Sequence, residues 1–231
     1  MKRKTFGFTL VELLTVVAII GILSAILIPV VGRAMEGARR MAAMTNASSI
    51  ANAHQSYLID IGRGLSPGDI QSVGDFAAKM AQYHYLESAE PFFISNDPLA
   101  PDPIPRSLAA KSGDTWEPTA QFTGVDAYSV DIAVGLVGHS AMSTTPFVWS
   151  RGLSTSGVWT EDAVWGDEEG FIIYGDGHCE LVENLGDGDA SILLHYSNRT
   201  PTNNVLEALP ARAVVRGKGA GSLDGQSGSG R

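Results

Sequence analysis

Glu12 is the only ionisable side chain between Phe8 and Val31, a stretch of 24 residues otherwise made of apolar, small and hydroxyl-bearing types. A carboxylate in such company must take up a proton or find a cation, because an unpaired ion in an apolar medium is costly. Two chemistries suit it: pairing with a positive group on a neighbouring molecule, or reaching back to the headgroup layer and pairing with nothing. Periodicity alone leaves the two even. Two further acidic patterns stand out. Gly186-Asp187-Gly188-Asp189 sets two carboxylates two apart in a Gly-rich loop, where they can offer oxygens to a hard cation such as calcium. The twelve-residue EF-hand spacing is absent. Asp176 and His178 are close in sequence, but Gly175-Asp176-Gly177 is a tight-turn signal and one Asp beside one His lacks a nucleophile.

Other reactive residues form no constellation. His54, His84, His139 and His195 are scattered, with no His-Glu-x-x-His or Cys-x-x-Cys spacing for zinc. Gly217-Lys218-Gly219-Ala220-Gly221 has the glycine content of a phosphate loop, yet follows no strand and opens no helix. No Gly-x-Ser-x-Gly element is present either. These patterns carry no positive sign of an enzyme.

The element that must position Glu12 is a helix. At ~1.5 Å per residue, residues 8–31 would reach ~36 Å, enough to cross a ~30 Å hydrocarbon core with some tilt. A secretory signal peptide would have a shorter apolar core and no carboxylate in it. Pro29 removes one backbone donor and is expected to kink or loosen the helix. Ala18, Gly21, Ser24 and Ala25 provide flat surfaces for close helix packing. Lys2, Arg3 and Lys4 precede the segment and Arg33, Arg39 and Arg40 follow it, so flanking charge leaves orientation open.

The run Lys4-Thr5-Phe6-Gly7-Phe8-Thr9-Leu10-Val11-Glu12-Leu13-Leu14 resembles the processing and methylation site of type IV pilins and type II secretion pseudopilins. The resemblance implies a leader cut after Gly7 by a prepilin peptidase, N-methylation of Phe8, and a glutamate, Glu12, at the fifth mature position. Pro29 and Gly21 also fall where that family commonly has Pro and Gly. A cut before Phe8 would expose an α-amine with an ordinary pKa of about 8, positive at neutral pH. Glu12 of one subunit can then meet the Phe8 amine of the next, setting the axial register of a polymer. The family further implies a leader in the cytoplasm, a head outside in the periplasm, and a single-pass anchor in the cytoplasmic membrane. Expected partners are copies of the chain, minor pseudopilins and an inner-membrane assembly platform. No cofactor is required, and calcium at Asp187 and Asp189 is the one metal the resemblance favours.

Length and composition fit one small globular head domain. The formal charge is −9, or −12 without Lys2, Arg3 and Lys4. Residues 60–205 carry 21 acidic against 6 basic side chains, a surface that repels nucleic-acid phosphates. The single cysteine, Cys179, forms no intramolecular disulfide.

The expected organisation is a leader at 1–7, a membrane helix at 8–31, its amphipathic continuation at 32–61, a head at 62–210 and a disordered Gly/Ser-rich tail at 211–231. Ala34, Ala38, Met41, Ala42 and Thr45 make a weak stripe on the continuation; Ile50, Ala53, Tyr57 and Ile61 make a bulkier one suited to a sheet. Residues 72–86 read as a second helix with Asp75 as N-cap. Strands are expected at 126–137, 146–150, 170–174 and 178–182, with a weak one at 157–160. The fold class is α+β, a long helix with a small antiparallel sheet packed on its second half. Phe93-Ile94-Ser95-Asn96-Asp97-Pro98, Thr144-Thr145-Pro146-Phe147-Val148-Trp149-Ser150-Arg151-Gly152-Leu153 and Gly170-Phe171-Ile172-Ile173-Tyr174-Gly175-Asp176-Gly177-His178-Cys179-Glu180 also resemble a subgroup of pseudopilin-like proteins. The cysteine pair that often closes a C-terminal loop in adhesive pilins is absent.

Overall fold

The computed structural model describes residues 9–136, 142–167 and 169–230, and it begins with a helix, α1, running Leu10–Ile61. Gly7, Phe8 and His139 lie outside the described residues. The chain divides into two units, Met1–Ala42 and Ala43–Arg231. In the first unit α1 is apolar on every side from residue 13 to residue 31, before Arg33, Glu36, Arg39 and Arg40, and Leu10, Leu14, Ile22 and Ile28 are all more than 60% exposed. Such a helix has no core to face within its own unit and suits an apolar solvent. The helix passes through Pro29. Because proline lacks an N–H, the carbonyl of Ala25 has no donor there.

In the second unit the same helix is one-sided. Met44, Ala47, Ile50, Ala51, Ala53, His54 and Tyr57 are buried, at the three- and four-residue spacing of a helix face. Ala34, Ala38, Met41, Ala42 and Thr45 are exposed. The helix ends where Gly62 adopts a φ of +72°, with its N–H donating to the Leu58 carbonyl at 3.0 Å.

Helix α2 spans Val73–Gln82, shorter than expected at both ends. Its N-cap is Ser72, not Asp75. Ser72 Oγ accepts from the Asp75 N–H at 3.1 Å, and Asp75 Oδ2 accepts from the Gln71 N–H and the Ser72 hydroxyl, both at 3.0 Å. Asp75 is thus the third residue of a capping arrangement rather than its first. The far end stops as His84 turns to a φ of +59°.

The strands are β1 (Ala109–Ser112), β2 (Thr115–Pro118), β3 (Val130–Val134), β4 (Pro146–Ser150), β5 (Val164–Asp167), β6 (Gly170–Tyr174), β7 (Cys179–Val182), β8 (Leu193–Leu194), β9 (Pro201–Thr202) and β10 (Val214–Arg216), with a one-turn helix, α3, at Ala120–Thr123 between β2 and β3. Five of them form one antiparallel sheet in the order β10-β3-β4-β6-β7. Its three central strands are buried at every position, which is why Pro146-Phe-Val-Trp-Ser150 and Gly170-Phe-Ile-Ile-Tyr174 read as short apolar runs without alternation. The elements make the α+β class plain: a long helix with antiparallel sheets. The β6–β7 turn is as expected, closed by Tyr174 N–H to the His178 carbonyl at 2.9 Å with Gly177 at a φ of +90°. Residues 157–160 form no strand; Val158 and Trp159 make single bridges to Asn184 and Leu153. Residues 126–129 precede β3 as irregular chain.

The expectation of a disordered tail is overturned. β10 joins the sheet edge, with Val215 opposite Ala133, and the segment beyond Arg216 is hydrogen-bonded back to the head. Gly228 N–H donates to Ala213 O at 2.9 Å and Ser229 N–H to Leu206 O at 2.8 Å. Glycine here is not a sign of looseness. A side chain on Gly217 would meet Asp131 Oδ1 at 1.9 Å, so the composition records backbone pressed against backbone and buried polar groups.

Candidate assembly site

At the start of α1, Thr9 and Glu12 form a reciprocal cap. The Glu12 Oε2 accepts from the Thr9 N–H at 2.9 Å and from the Thr9 hydroxyl at 2.8 Å, while the Glu12 N–H donates to Thr9 Oγ1 at 3.2 Å. Thr15 Oγ1 donates to the Glu12 carbonyl at 3.0 Å. Thr9-Leu10-Val11-Glu12 is therefore a capping box, a signal present in the sequence but masked there by the charge of Glu12. The cap holds the carboxylate beside the backbone of residue 9, at the positive end of the helix. Oε1 has no hydrogen-bond partner among the described residues. Ala18, Gly21 and Ala25 are exposed, and a Cβ on Gly21 would meet nothing within 4 Å, so this flank is open to another helix.

A second polar constellation lies inside the head. Arg151 is fully buried. Its Nε donates to Tyr128 O at 2.9 Å, one terminal nitrogen to Asp162 O at 2.5 Å and Ala220 O at 2.6 Å, and the other to Asp97 Oδ1 at 2.6 Å. Asp97 Oδ2 accepts from the Ser129 hydroxyl at 2.7 Å, and Ser129 Oγ accepts from Ile94 N–H at 2.9 Å. Next to it Asp131 accepts from the Ser222 hydroxyl at 2.6 Å and Leu223 N–H at 2.9 Å. Burial pushes the Asp131 carboxyl up to about 6, partly offset by these donors and Arg151. The network ties the 93–98 stretch, β3, the 150–152 corner and the C-terminal strap into one body. The sequence singles out both fragments that supply Asp97 and Arg151, but not their pairing.

The remaining candidates stay apart. His178 Nδ1 lies 2.5 Å from Asp176 Oδ1 at the exposed hairpin end, and the ring stacks on the buried Tyr174 at 4.2 Å. No hydroxyl or thiol among the described residues is bonded to His178. Asp187 and Asp189 are exposed on a short turn, and Asp187 Oδ1 accepts from Asn203 Nδ2 at 3.1 Å. No group of three or more His, Cys, Asp or Glu among the described residues is placed to hold a metal ion. Cys179 is half-buried and its thiol is pushed up to about 12, chiefly by burial. A cleft of about 840 Å³ follows the proline-rich connector, lined by Leu99, Pro101, Ile104, Arg106, Gln121 and Asp126 among others.

Compared with known families, residues 2–28 match the prokaryotic N-terminal methylation motif. The chain thus carries a prepilin-type methylation segment joined to a helix long and apolar enough to cross a membrane, as expected of the type IV pilin and pseudopilin family. No curated protein and no solved structure gives a significant match.

Proposed function

We propose that the protein is a structural filament subunit, a pseudopilin of a type II secretion-like system, anchored in the cytoplasmic membrane with its head in the periplasm. The observation that carries this reading is the methylation motif at residues 2–28 leading into a helix whose apolar surface is uncovered. A prepilin peptidase cuts after Gly7 and the new Phe8 terminus is methylated. Each subunit then enters the polymer at an inner-membrane platform, its Glu12 answering the Phe8 amine of a neighbour. Growth at the base lifts the heads, and minor pseudopilins share the filament. The work is mechanical, and no catalytic group is assigned.

The decisive measurement is the intact mass of the protein recovered from its own membrane. A chain beginning at Phe8 and heavier by one methyl group supports the reading; a chain retaining residues 1–7 where the peptidase is active overturns it. Long surface fibres would move the assignment to a type IV pilus subunit. The connector cleft supports a second reading, a membrane-anchored head that binds a ligand. Processing without any polymer would favour that one.

A further inference from the structure

His54 lies where the head-bound part of α1 meets the sheet, and it is 2% exposed. Its ring is stacked 4.4 Å from Phe147 of β4, with Phe76 of α2 at 6.4 Å. Nδ1 is buried and has no hydrogen-bond partner. Leucine or phenylalanine would occupy this place without leaving a polar atom unmatched. What histidine alone adds is a proton-binding group, and a protonated ring here would need an acceptor.

None of the elements packed around it supplies one. On α1, Tyr57 is the titratable neighbour one turn on, and burial pushes its phenol up, so it is neutral near pH 7 and below. On α2, the Asp75 carboxylate is held by Gln71 and Ser72, and Lys79 donates to Gln82. β4 has no ionisable side chain. The β6–β7 turn carries Asp176 and His178, which bond to each other, and it meets α1 through Gln55 Nε2 to Gly175 O at 2.9 Å. On β7, Cys179 keeps its proton and Glu180 accepts from Tyr174.

We propose that His54 is an acid-sensitive clasp: α1 from Met44 to Tyr57 stays docked on the sheet while the imidazole is neutral and is released when it takes up a proton. This does not depend on the filament reading. Burial alone lowers the His54 pKa from the ordinary 6.5 to about 4. Docking is therefore at full strength above pH 6.5 and weakens as pH falls towards 4. By pH 4.5 the docked-to-released ratio drops on the order of a hundredfold. Asp131 has the opposite sign, so the total stability of the wild type conceals the effect and a local or differential reading is needed.

The test uses the full chain in a neutral detergent. Amide exchange across residues 44–57, corrected for intrinsic rates, is compared at pH 7 and 4.5 in wild type, His54→Phe and His178→Gln. The expected result is loss of protection at pH 4.5 in wild type and His178→Gln, and none in His54→Phe. Equal loss in His54→Phe, or no loss in wild type, overturns the clasp. If the phenylalanine variant does not fold, imidazole NMR titration of the wild type decides. A His54 midpoint near 6.5 overturns the proposal, and one well below it, accompanied by helix release, supports it.

Discussion

Glu12 and Asp97 are both carboxylates set among apolar residues, one in each unit of the molecule. Asp97 is 5% exposed and finds everything it needs inside the chain: Arg151 and the backbone N–H of Leu99 on one oxygen, Ser129 on the other. Glu12 has the end of its own helix on Oε2, and among the described residues no cation answers its charge. The head is internally closed around its polar groups, and the anchor is not. A chain that satisfies its buried acid completely and leaves an exposed one to the surroundings has a folding task in the first place and, on the filament reading proposed above, a meeting task in the second. On that reading the difference, rather than the acid itself, separates structure from assembly.

The sharpest way to break the comparison is at Glu12. Glu12→Gln retains a side-chain oxygen that can cap Thr9, since glutamine serves at this position of a capping box, but it removes the charge. If the charge meets a neighbour's amine, Glu12→Gln and Glu12→Ala should both lose polymer, read by cross-linking in membranes, while insertion and cleavage persist. Polymer formed normally by Glu12→Gln would reduce the residue to a helix cap.

The next largest effect belongs to the closed site. Arg151→Ala strands Asp97 as an unanswered buried charge and frees three carbonyls, for a loss of about 3–5 kcal/mol. Urea unfolding followed by Trp fluorescence would measure it. Arg151→Lys should recover only part, because an ammonium cannot reproduce the guanidinium fork across Tyr128, Asp162, Ala220 and Asp97.

How much of this is legible in the sequence depends on how local each signal is. The anchor can be read from contiguous residues: one acid, a run of apolar side chains, a Gly-Phe junction. The α+β class also emerges from local runs, because β4 and β6 are short and wholly apolar and the Gly175-Asp176-Gly177 turn announces its hairpin. The Asp97–Arg151 pair joins positions 54 apart, and no periodicity connects them. The C-terminal strap misleads through composition. Its glycines permit close approach to Asp131, Ala127 and Gly152, and that tertiary use looks the same on paper as a flexible linker. Thr9 is hidden for a different reason: the capping-box spacing is there, but the charge of Glu12 suggests a partner outside the chain before one inside it.

A smaller and pH-dependent effect is expected at Asp131. Its folded pKa of about 6 is above the ordinary 3.8, so the stabilising contribution is full below pH 3.8 and is lost as pH rises through 6. Between pH 4 and 7 wild type should therefore lose up to about 3 kcal/mol through this group. Because His54 acts with the opposite sign over the same range, the readout is the difference: stability should rise with pH more steeply in Asp131→Asn than in wild type. Unfolding midpoints of both proteins at pH 4.5, 5.5 and 7 would show whether the strap's anchor behaves as an acid at all. An unchanged slope in the variant would remove Asp131 from the account.

The smallest predicted change tests which property of the anchor a polymer reads. Thr9→Ala deletes the hydroxyl that Glu12 shares but leaves the backbone N–H of residue 9 pointing at the same carboxylate oxygen. Loss of a capping side chain costs about 1 kcal/mol of helix stability, and faster amide exchange over the first turn of α1 would report it. Because the charge of Glu12 survives, polymer yield should stay near the wild-type level. Should Thr9→Ala abolish assembly as thoroughly as Glu12→Ala, the geometry of the helix start, and not the acid, would be what a neighbouring subunit recognises, and the two carboxylates would differ in position rather than in kind.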